Sequence, residues 1–365
     1  MKPAYIFKTL AVCFLMAVTA CSGNDGGEDS GTVSGDLTLS ISKTVIEANG
    51  TDAVTVAVMK GETDITSQSK VYMEDPSGNT SSFKETSFST TTEGDYVFYA
   101  YYEGVKTENI TVRAFKNIPS LPADSKPEQN TGFAKRVLAV QHTGTWCSNC
   151  PYMKKGIDAY VKANPDNCAV FVASHNGDTM AGDASNTVNN YLAVPSYPSL
   201  SVDLNTSSMI IGALSDANKQ AEQIASRVNE VAASGCKTAI SVASENAGSS
   251  VVVNVKVKSA NVDNCRIAVW LLEDGIVAEQ NGGSVNEVHN NVLLTSSSTV
   301  AYGDRIQLDA DGAGQNVYRL DVSRAHDLSN CRLVVFTTVP NTSGRFVVDN
   351  VVTCPLDGQT AFEYE

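Results

Sequence analysis

Residues 144–151 read Gly-Thr-Trp-Cys-Ser-Asn-Cys-Pro, and this stretch decides the fold of the middle of the chain. Residues 136–141 before it have the apolar composition of a buried strand, and apolar residues recur at helical spacing over 153–161 after it. A helix N-terminus stabilises a thiolate through its unpaired N–H groups and its dipole. We therefore predict that Cys147 is the attacking thiol of a disulfide-exchange site and that Cys150 is the resolving thiol.

The neighbourhood of these cysteines is predicted from three further residues. Trp146 would shield the sulfurs on one side. Tyr197-Pro198 precedes a short strand and resembles the position of thioredoxin-like proteins where a cis proline faces the two cysteines, which puts Tyr197 and Pro198 at the substrate-facing edge. His175 ends a strand at 168–174, and either belongs to the substrate site or is a structural loop histidine; the second interpretation is the commoner one.

The order of elements over residues 132–235 indicates an α/β domain. Strands are predicted at 168–174, 200–204 and 208–212, a short helix at 183–192, and a closing helix whose apolar face begins near Leu214. The resulting order, βαβα followed by ββα, is the thioredoxin arrangement. We therefore predict a thioredoxin-like domain at 132–235.

The flanking regions alternate between apolar and polar residues, which predicts strands on both sides of the α/β domain. Residues 36–115 resemble bacterial immunoglobulin-like domains and predict a β-sandwich. Residues 116–131 carry three prolines and few apolar residues, which indicates a linker. Residues 236–358 predict a second, immunoglobulin-like β-sandwich. The fold class is therefore multidomain, with two β-sandwiches around one α/β domain.

The first residues are typical of an export signal. Residues 1–20 combine a short basic segment with an apolar run that is too short to span a bilayer. Small residues precede Cys21, as in a bacterial lipobox, so Cys21 is the predicted lipidation site and the membrane anchor. An ordinary signal peptide cut near Ala20 is the alternative. Residues 21–35 are rich in Gly, Ser and acidic residues and predict a flexible tether.

The charge and the spacing of ligand-type residues exclude several classes of function. The formal net charge is −14, and without a basic stripe the chain is a poor candidate for binding nucleic acid. No second CxxC motif and no paired histidine lie at metal-ligand spacing, so we predict neither a metal site nor a cofactor.

The other cysteines are predicted to form structural disulfides, which an exported protein permits. If residues 331–338 and 345–354 form a hairpin, antiparallel pairing puts Cys331 opposite Cys354. By a similar argument Cys236 would pair with Cys265. Cys168 is then left over as an inert packed thiol.

Residues 133–354 resemble the outer membrane protein 28 family of Bacteroidetes lipoproteins. The resemblance is carried by Val137-Leu138, His142-Thr143-Gly144, residues 146–151, Ser196-Tyr197-Pro198, residues 269–275 (Val-Trp-Leu-Leu-Glu-Asp-Gly), His289-Asn290-Asn291 and Gly303-Asp304. It implies a thioredoxin fold and attachment to the outer membrane, on its periplasmic or its outer face. Family members often carry an acidic residue where this chain has Gln141-His142, a departure that weakens the prediction of redox activity.

Two functions follow. The first is a tethered thiol-disulfide oxidoreductase that acts on exported proteins containing thiols or disulfides. The second is a surface or periplasmic binding lipoprotein in which the Cys147–Cys150 disulfide is structural.

Overall fold

The computed structural model describes residues 37–259, 262, 264–306 and 308–365. The predicted signal peptide, Cys21 and the tether at 21–35 therefore lie outside the described residues. Among the helices of the described part of the chain, none is long and apolar enough to cross a membrane.

The N-terminal region consists of two β-sheets that enclose one apolar core. Its strands are Leu37–Ile41 (β1), Val45–Glu47 (β2), Val54–Lys60 (β3), Thr63–Asp64 (β4), Lys70–Glu74 (β5), Thr80–Phe83 (β6), Ser87–Phe88 (β7), Gly94–Tyr102 (β8), Val105–Lys106 (β9) and Ile110–Phe115 (β10). One sheet has the order β1-β3-β4 with β7 against β3, and the other has the order β2-β10-β8-β5-β6 with β9 against β8. Alternate residues point inward, so β8 buries Tyr96, Phe98 and Ala100 in that core.

The middle region alternates strands and helices in the predicted order. Its elements are Val137–Thr143 (β11), Cys150–Ala163 (α1), Ala169–His175 (β12), Asp183–Tyr191 (α2), Ser199–Val202 (β13), Asn205–Ile211 (β14) and Ala217–Ala232 (α3). Strand β11 is central: it pairs in parallel with β12 and antiparallel with β13. The apolar faces of α1 and α3 cover one side of these strands, where Met153, Ile157 and Ile224 are buried.

The C-terminal region returns to β-structure. Its strands are Thr238–Asn246 (β15), Ser250–Ser259 (β16), Arg266–Glu273 (β17), Ile276–Ala278 (β18), Glu287–His289 (β19), Val292–Ser296 (β20), Asp304–Arg305 (β21), Ala313–Asp321 (β22), Cys331–Pro340 (β23), Phe346–Pro355 (β24) and Gln359–Thr360 (β25). One sheet has the order β22-β16-β15-β25, and a small hairpin joins β18 to β19. An apolar core rich in valine lies between this sheet and strands β17, β20 and β23.

The middle and C-terminal regions share one sheet. Strand β12 pairs in parallel with β20 at Ala173 and Val292, so the sheet runs in the order β14-β13-β11-β12-β20-β17-β23-β24. On the face opposite α1 and α3, one core contains Leu138, Trp270 and Phe336 together with residues of α2. A sheet of this kind must be covered on both faces. The boundary predicted at 235/236 therefore does not separate two independent cores.

The predicted linker at 116–131 contains neither helix nor strand, but it is packed against the C-terminal sheet. The Lys258 ammonium lies 2.9 Å from Asp124 and is almost completely buried. The Asn254 side chain donates to the Pro119 carbonyl at 2.9 Å. These contacts hold the linker to strand β16, so the segment is a strap rather than a free spacer.

The predicted disulfide between Cys331 and Cys354 is wrong for this structure, in which both cysteines are free. Strands β23 and β24 do form the predicted hairpin, but Thr338 pairs with Val348, one residue off the predicted register, and a shift between Thr337 and Thr338 adds a second residue. Cys354 therefore lies opposite Leu333, and Cys331 is a diagonal neighbour on the same face. Diagonal residues of an antiparallel pair are too far apart for unstrained disulfide geometry.

The predicted disulfide between Cys236 and Cys265 is also absent, because the two residues belong to different parts of the fold. Cys236 precedes β15, and its thiol lies 3.4 Å from the Phe133 carbonyl. Cys265 precedes β17, a strand of the other sheet, and is buried in the valine-rich core. Cys168 is likewise free and half-buried, as expected of a packed thiol.

Candidate functional site

The two cysteines of residues 144–151 form a disulfide, with their Cα atoms 5.4 Å apart. Helix α1 begins at Cys150, with Pro151 in its first turn, so Cys147 lies three residues before the helix rather than inside it. The tight turn between them is held by hydrogen bonds from the Cys147 N–H to the Gly144 carbonyl at 3.0 Å and from the Cys150 N–H to the Cys147 carbonyl at 3.3 Å.

The disulfide is covered while the residues around it are exposed. Cys147 is 4% exposed and Cys150 is 1% exposed, whereas Ser148 and Asn149 between them are exposed. Trp146 is 47% exposed. A sulfur reagent or a substrate thiol approaching the site therefore meets the tryptophan and the two polar residues before it meets either sulfur.

Trp146 and Tyr197 form one wall of the site. The indole N–H of Trp146 donates to the Asn176 carbonyl at 2.7 Å, and its ring meets the ring of Tyr197 edge to face at a centroid distance of 5.4 Å. The Tyr197–Pro198 peptide bond is cis, as the thioredoxin resemblance implies, and Pro198 is buried. The tyrosine next to that bond therefore contacts the tryptophan next to Cys147.

A loop from the C-terminal region, residues 279–284, covers the opposite side of the disulfide turn. The Gln280 amide lies within hydrogen-bond distance of the Gly144, Thr145 and Cys147 carbonyls, the last at 2.9 Å. The Asn281 backbone N–H donates to the Thr145 carbonyl at 2.8 Å. We name this segment the covering loop.

Gly282 is the point of closest approach in the covering loop. It has a φ of +73°, and a Cβ placed on it would lie 2.3 Å from the Ser148 carbonyl oxygen. Only glycine permits both the left-handed backbone and this contact. Strand β19, which follows the loop, is tied to α1 by a salt bridge between Glu287 and Lys154 at 2.9 Å.

A buried His175–Asp178 pair contacts the same turn through the backbone of Thr145. The His175 Nδ1 lies 2.7 Å from Asp178, which also accepts from the Thr145 N–H at 2.8 Å. Burial alone would raise the pKa of Asp178, but the hydrogen bonds and the charge interaction with His175 hold it below the ordinary value. His175 is 1% exposed, so its position agrees with a structural role and not with direct contact with a protein substrate.

A pocket lies on the inner side of Cys150. Its lining includes Gln141 from β11, His175 from β12, Gln280 of the covering loop and His289 from β19. His289 is 7% exposed, its Nε2 atom has no hydrogen-bond partner, and its ring contacts His175 at a centroid distance of 5.4 Å. A buried polar atom without a hydrogen-bond partner costs about 1–3 kcal/mol of folding free energy. A group that forms a hydrogen bond with His289 in this pocket would therefore stabilise the folded protein.

The residues that replace the usual acidic residue point to opposite faces of β11. Gln141 lines the pocket with Cys150, but its amide does not titrate. His142 points away and lies 2.7 Å from Asn189 and 2.9 Å from Ser201. Its complete burial lowers its pKa to about 4, although the hydrogen bond that its Nδ1–H donates to the Asn189 side-chain oxygen opposes this effect. Strand alternation predicts this division, and His142 is therefore not the proton acceptor for Cys150.

Sequence reasoning did not find the contribution of the C-terminal region to this site. Gln280, Asn281 and Gly282 contact the disulfide turn, and His289 lines the pocket behind it. The pair Gly282-Gly283 marks a turn, and His289-Asn290-Asn291 belongs to the family resemblance, but neither pattern indicates a contact with residues 144–151. Within the described residues, no group of three or more histidine, cysteine or acidic side chains is arranged to hold a metal ion.

The fold and the site define a β-rich protein with one cystine in a strand-to-helix turn. Residues 185–358 match the family model of the outer membrane protein Omp28. This match shows that residues 185–358 are similar to the Omp28 family, and it confirms the predicted location at the outer membrane. It begins inside α2 and does not include the disulfide turn. The lipid anchor at Cys21 stays a prediction.

Among solved structures, HBP35 of Porphyromonas gingivalis superposes with a TM-score of 0.53 at 16% sequence identity, covering 63% of this chain and 77% of that one. At this identity the likeness concerns the fold alone. A domain of the outer membrane lipoprotein Omp28 from Porphyromonas gingivalis aligns at 19% identity with 34% of this chain and 92% of its own, with a TM-score of 0.22 that supports no argument. No curated protein matches this sequence.

Proposed function

We propose that the protein is a lipid-anchored outer membrane protein whose thioredoxin-like region, residues 132–235, exchanges disulfides with exported proteins through Cys147 and Cys150. The observation that carries the proposal is the Cys147–Cys150 disulfide at the junction of β11 and α1. Strand-helix junctions with this two-residue spacing suit exchange, because the resolving thiol can attack a mixed disulfide without moving the backbone.

The element order supports the thioredoxin-like part of the proposal. Strand β11 is central, its carboxyl end leads into the cystine turn, and α1 and α3 cover one face. Strand β13 follows Pro198 and lies antiparallel to β11, which brings Tyr197 to Trp146. In this arrangement Trp146, Tyr197 and Pro198 form the edge along which an extended substrate segment would lie.

Large apolar side chains are exposed near the disulfide, beside the polar Ser148 and Asn149, and they favour a protein or peptide substrate. Exposed large apolar side chains lie on the elements that border the turn: Trp146, Tyr152, Ile211, Leu214 and Val285. Ile211 is held close to the site, since β14 pairs with β13 at Ser199 and the Gly212 N–H donates to the Pro198 carbonyl at 2.9 Å. Exposed apolar patches of this kind are typical of interaction sites.

Exchange proceeds in two balanced steps. The Cys147 thiolate attacks a substrate disulfide, forms a mixed disulfide and releases one substrate thiolate. The Cys150 thiol then loses its proton and attacks the Cys147 sulfur, which restores the protein disulfide and releases the second substrate thiolate. Two electrons pass from the protein dithiol to the substrate, and the reverse sequence oxidises a substrate dithiol.

The reduction potential of Cys147–Cys150 is the first test. Mature protein is equilibrated in thiol buffers, and the oxidised and reduced forms are counted by alkylation and mass spectrometry, with Cys147→Ser as the control. A potential between about −270 and −120 mV is expected for an exchange protein. In the same protein Cys147→Ser is expected to lower the rate of disulfide exchange with a reporter peptide at least 100-fold.

A second candidate function is a non-catalytic binding lipoprotein with a structural disulfide. It is favoured by the burial of both sulfurs under the covering loop, where Gly282 contacts Ser148. This candidate predicts a potential below about −300 mV and a reduced Cys147 that alkylating reagents do not reach. Rapid exchange with the reporter peptide would reject it, and an unreactive Cys147 would reject the exchange proposal.

A further inference from the structure

The pocket behind Cys150 contains a histidine from the C-terminal region. His289 lies at the end of β19 in the C-terminal region, yet it lines the same pocket as Cys150 and Gln141. Its ring rests edge to face on His175. The hairpin of β18 and β19 that carries it, where Ile276 pairs with His289, is joined to the covering loop that contacts the disulfide turn.

The Nε2 atom of His289 is free to take a proton. It is buried and has no hydrogen-bond partner, whereas the Nδ1 of His175 is occupied by Asp178. Burial lowers the pKa of His289, and the nearby His175 lowers it further, against smaller opposing effects of Glu287, Asp178 and a backbone hydrogen bond to Ala278. His289 is therefore neutral near pH 7, with a lone pair available.

The other titratable groups of the pocket are already engaged or face outward. Around His289 they are Cys150, Lys154 and Asp158 on α1, His175 on β12 with its partner Asp178, and Glu287 on β19. Lys154 is paired with Glu287 and also lies near Asp158. The amide of Gln141 cannot accept the thiol proton.

We infer that His289 is the general base that accepts the proton of Cys150 when the resolving thiol attacks the mixed disulfide. This inference rests on the proposed exchange function and assigns its proton transfer to a residue of the C-terminal region. The Cys150 S–H bond breaks as the Cys150–Cys147 bond forms, the proton moves to Nε2 of His289, and the electron pair of the broken mixed disulfide leaves with the substrate sulfur. In the reverse direction the imidazolium returns the proton to the departing Cys150 thiolate.

The first arm of the test does not depend on turnover. The full mature chain is prepared as Cys147→Ser, with and without His289→Gln, and the thiolate of Cys150 is followed by its ultraviolet absorbance against pH. A doubly substituted Cys147→Ser/Cys150→Ser protein supplies the baseline. Without His289 the Cys150 transition is expected to move to lower pH, because a neutral imidazole that accepts the S–H hydrogen bond stabilises the protonated thiol. An unchanged transition would overturn the inference, even in a protein that shows no exchange.

The second arm measures resolution of the mixed disulfide in a single turnover. His289→Gln is expected to slow this step at least 10-fold at pH 7 and to remove the histidine inflection from its pH profile. The control is His326→Gln, which replaces a histidine whose side chain is 68% exposed and lies outside the pocket. If His289→Gln keeps the wild-type rate and pH profile, the role of His289 is rejected and the exchange function stands. If the wild-type protein itself does not exchange disulfides, the exchange function is rejected.

Discussion

The turn at 144–151 and the core built from residues 265–354 contain the same residue types in opposite surroundings. Each contains one of the two tryptophans of the chain and at least two cysteines. In the turn Trp146 is half exposed and the cysteines are bonded, whereas in the core Trp270 is fully buried and the cysteines are free thiols. Two cysteines that are three residues apart in one turn form a disulfide here, whereas two cysteines on neighbouring strands, Cys331 and Cys354, do not.

The largest expected difference is in thiol reactivity. Burial raises the pKa of both Cys265 and Cys331 to about 12, so at pH 8 their thiolate fraction falls about 1000-fold below that of an ordinary cysteine. We expect alkylation of these thiols to be at least that much slower in the native protein than in the unfolded chain. Peptide mapping after timed alkylation measures the ratio, and fast native labelling of Cys331 would contradict the burial of this core.

The tryptophans should differ strongly in their contribution to stability. Trp270 is fully buried against Phe336, and Trp270→Ala is expected to lower the free energy of unfolding by about 3–5 kcal/mol through the lost burial and the cavity. Trp146→Ala removes one hydrogen bond and an exposed ring, with an expected loss of about 1 kcal/mol. Denaturant unfolding measures the loss in each variant, and equal losses would contradict the difference in burial between the two tryptophans.

The buried His142 should make the stability of the protein depend on pH. Because His142 has a folded pKa of about 4 and an ordinary value near 6.5, the unfolded chain binds its proton first as the pH falls. Its contribution to stability is therefore present above pH 6.5 and is lost between about pH 6.5 and pH 4, by about 3 kcal/mol in total. Unfolding curves of wild-type protein and His142→Gln between pH 7 and pH 4 should differ in slope, and a parallel dependence would contradict the burial.

The smallest effect tests the register of β23 and β24. Leu333 lies directly opposite Cys354, so the cysteine of Leu333→Cys should form a disulfide with Cys354 under mild oxidation. The natural Cys331, which is only a diagonal neighbour of Cys354, should not. The new crosslink contributes about 2–4 kcal/mol, and truncating the buried leucine costs a similar amount, so the free energy of unfolding is expected to change by less than about 2 kcal/mol. Mass spectrometry identifies the bonded pair. A bond between Cys331 and Cys354 would show that the register is different.

The predictions from sequence succeeded where contacts are local. The strand-turn-helix order around residues 144–151, the alternation in β8 and the opposite orientations of Gln141 and His142 all follow from the period of a strand or a helix. They failed for Cys331 and Cys354, because the turn and the register shift at Thr337 each displace the pairing by one residue, which the apolar pattern of the two strands does not reveal.

The sequence by itself determined the cystine turn and the β-rich flanks, because each depends on residues close together in the chain. Only the tertiary structure decided that β12 pairs with β20 and that the covering loop contacts Ser148. It also decided that His289 lies in the pocket of Cys150. These contacts join segments more than a hundred residues apart, and they are selected by the burial of both faces of one sheet, which no local pattern encodes.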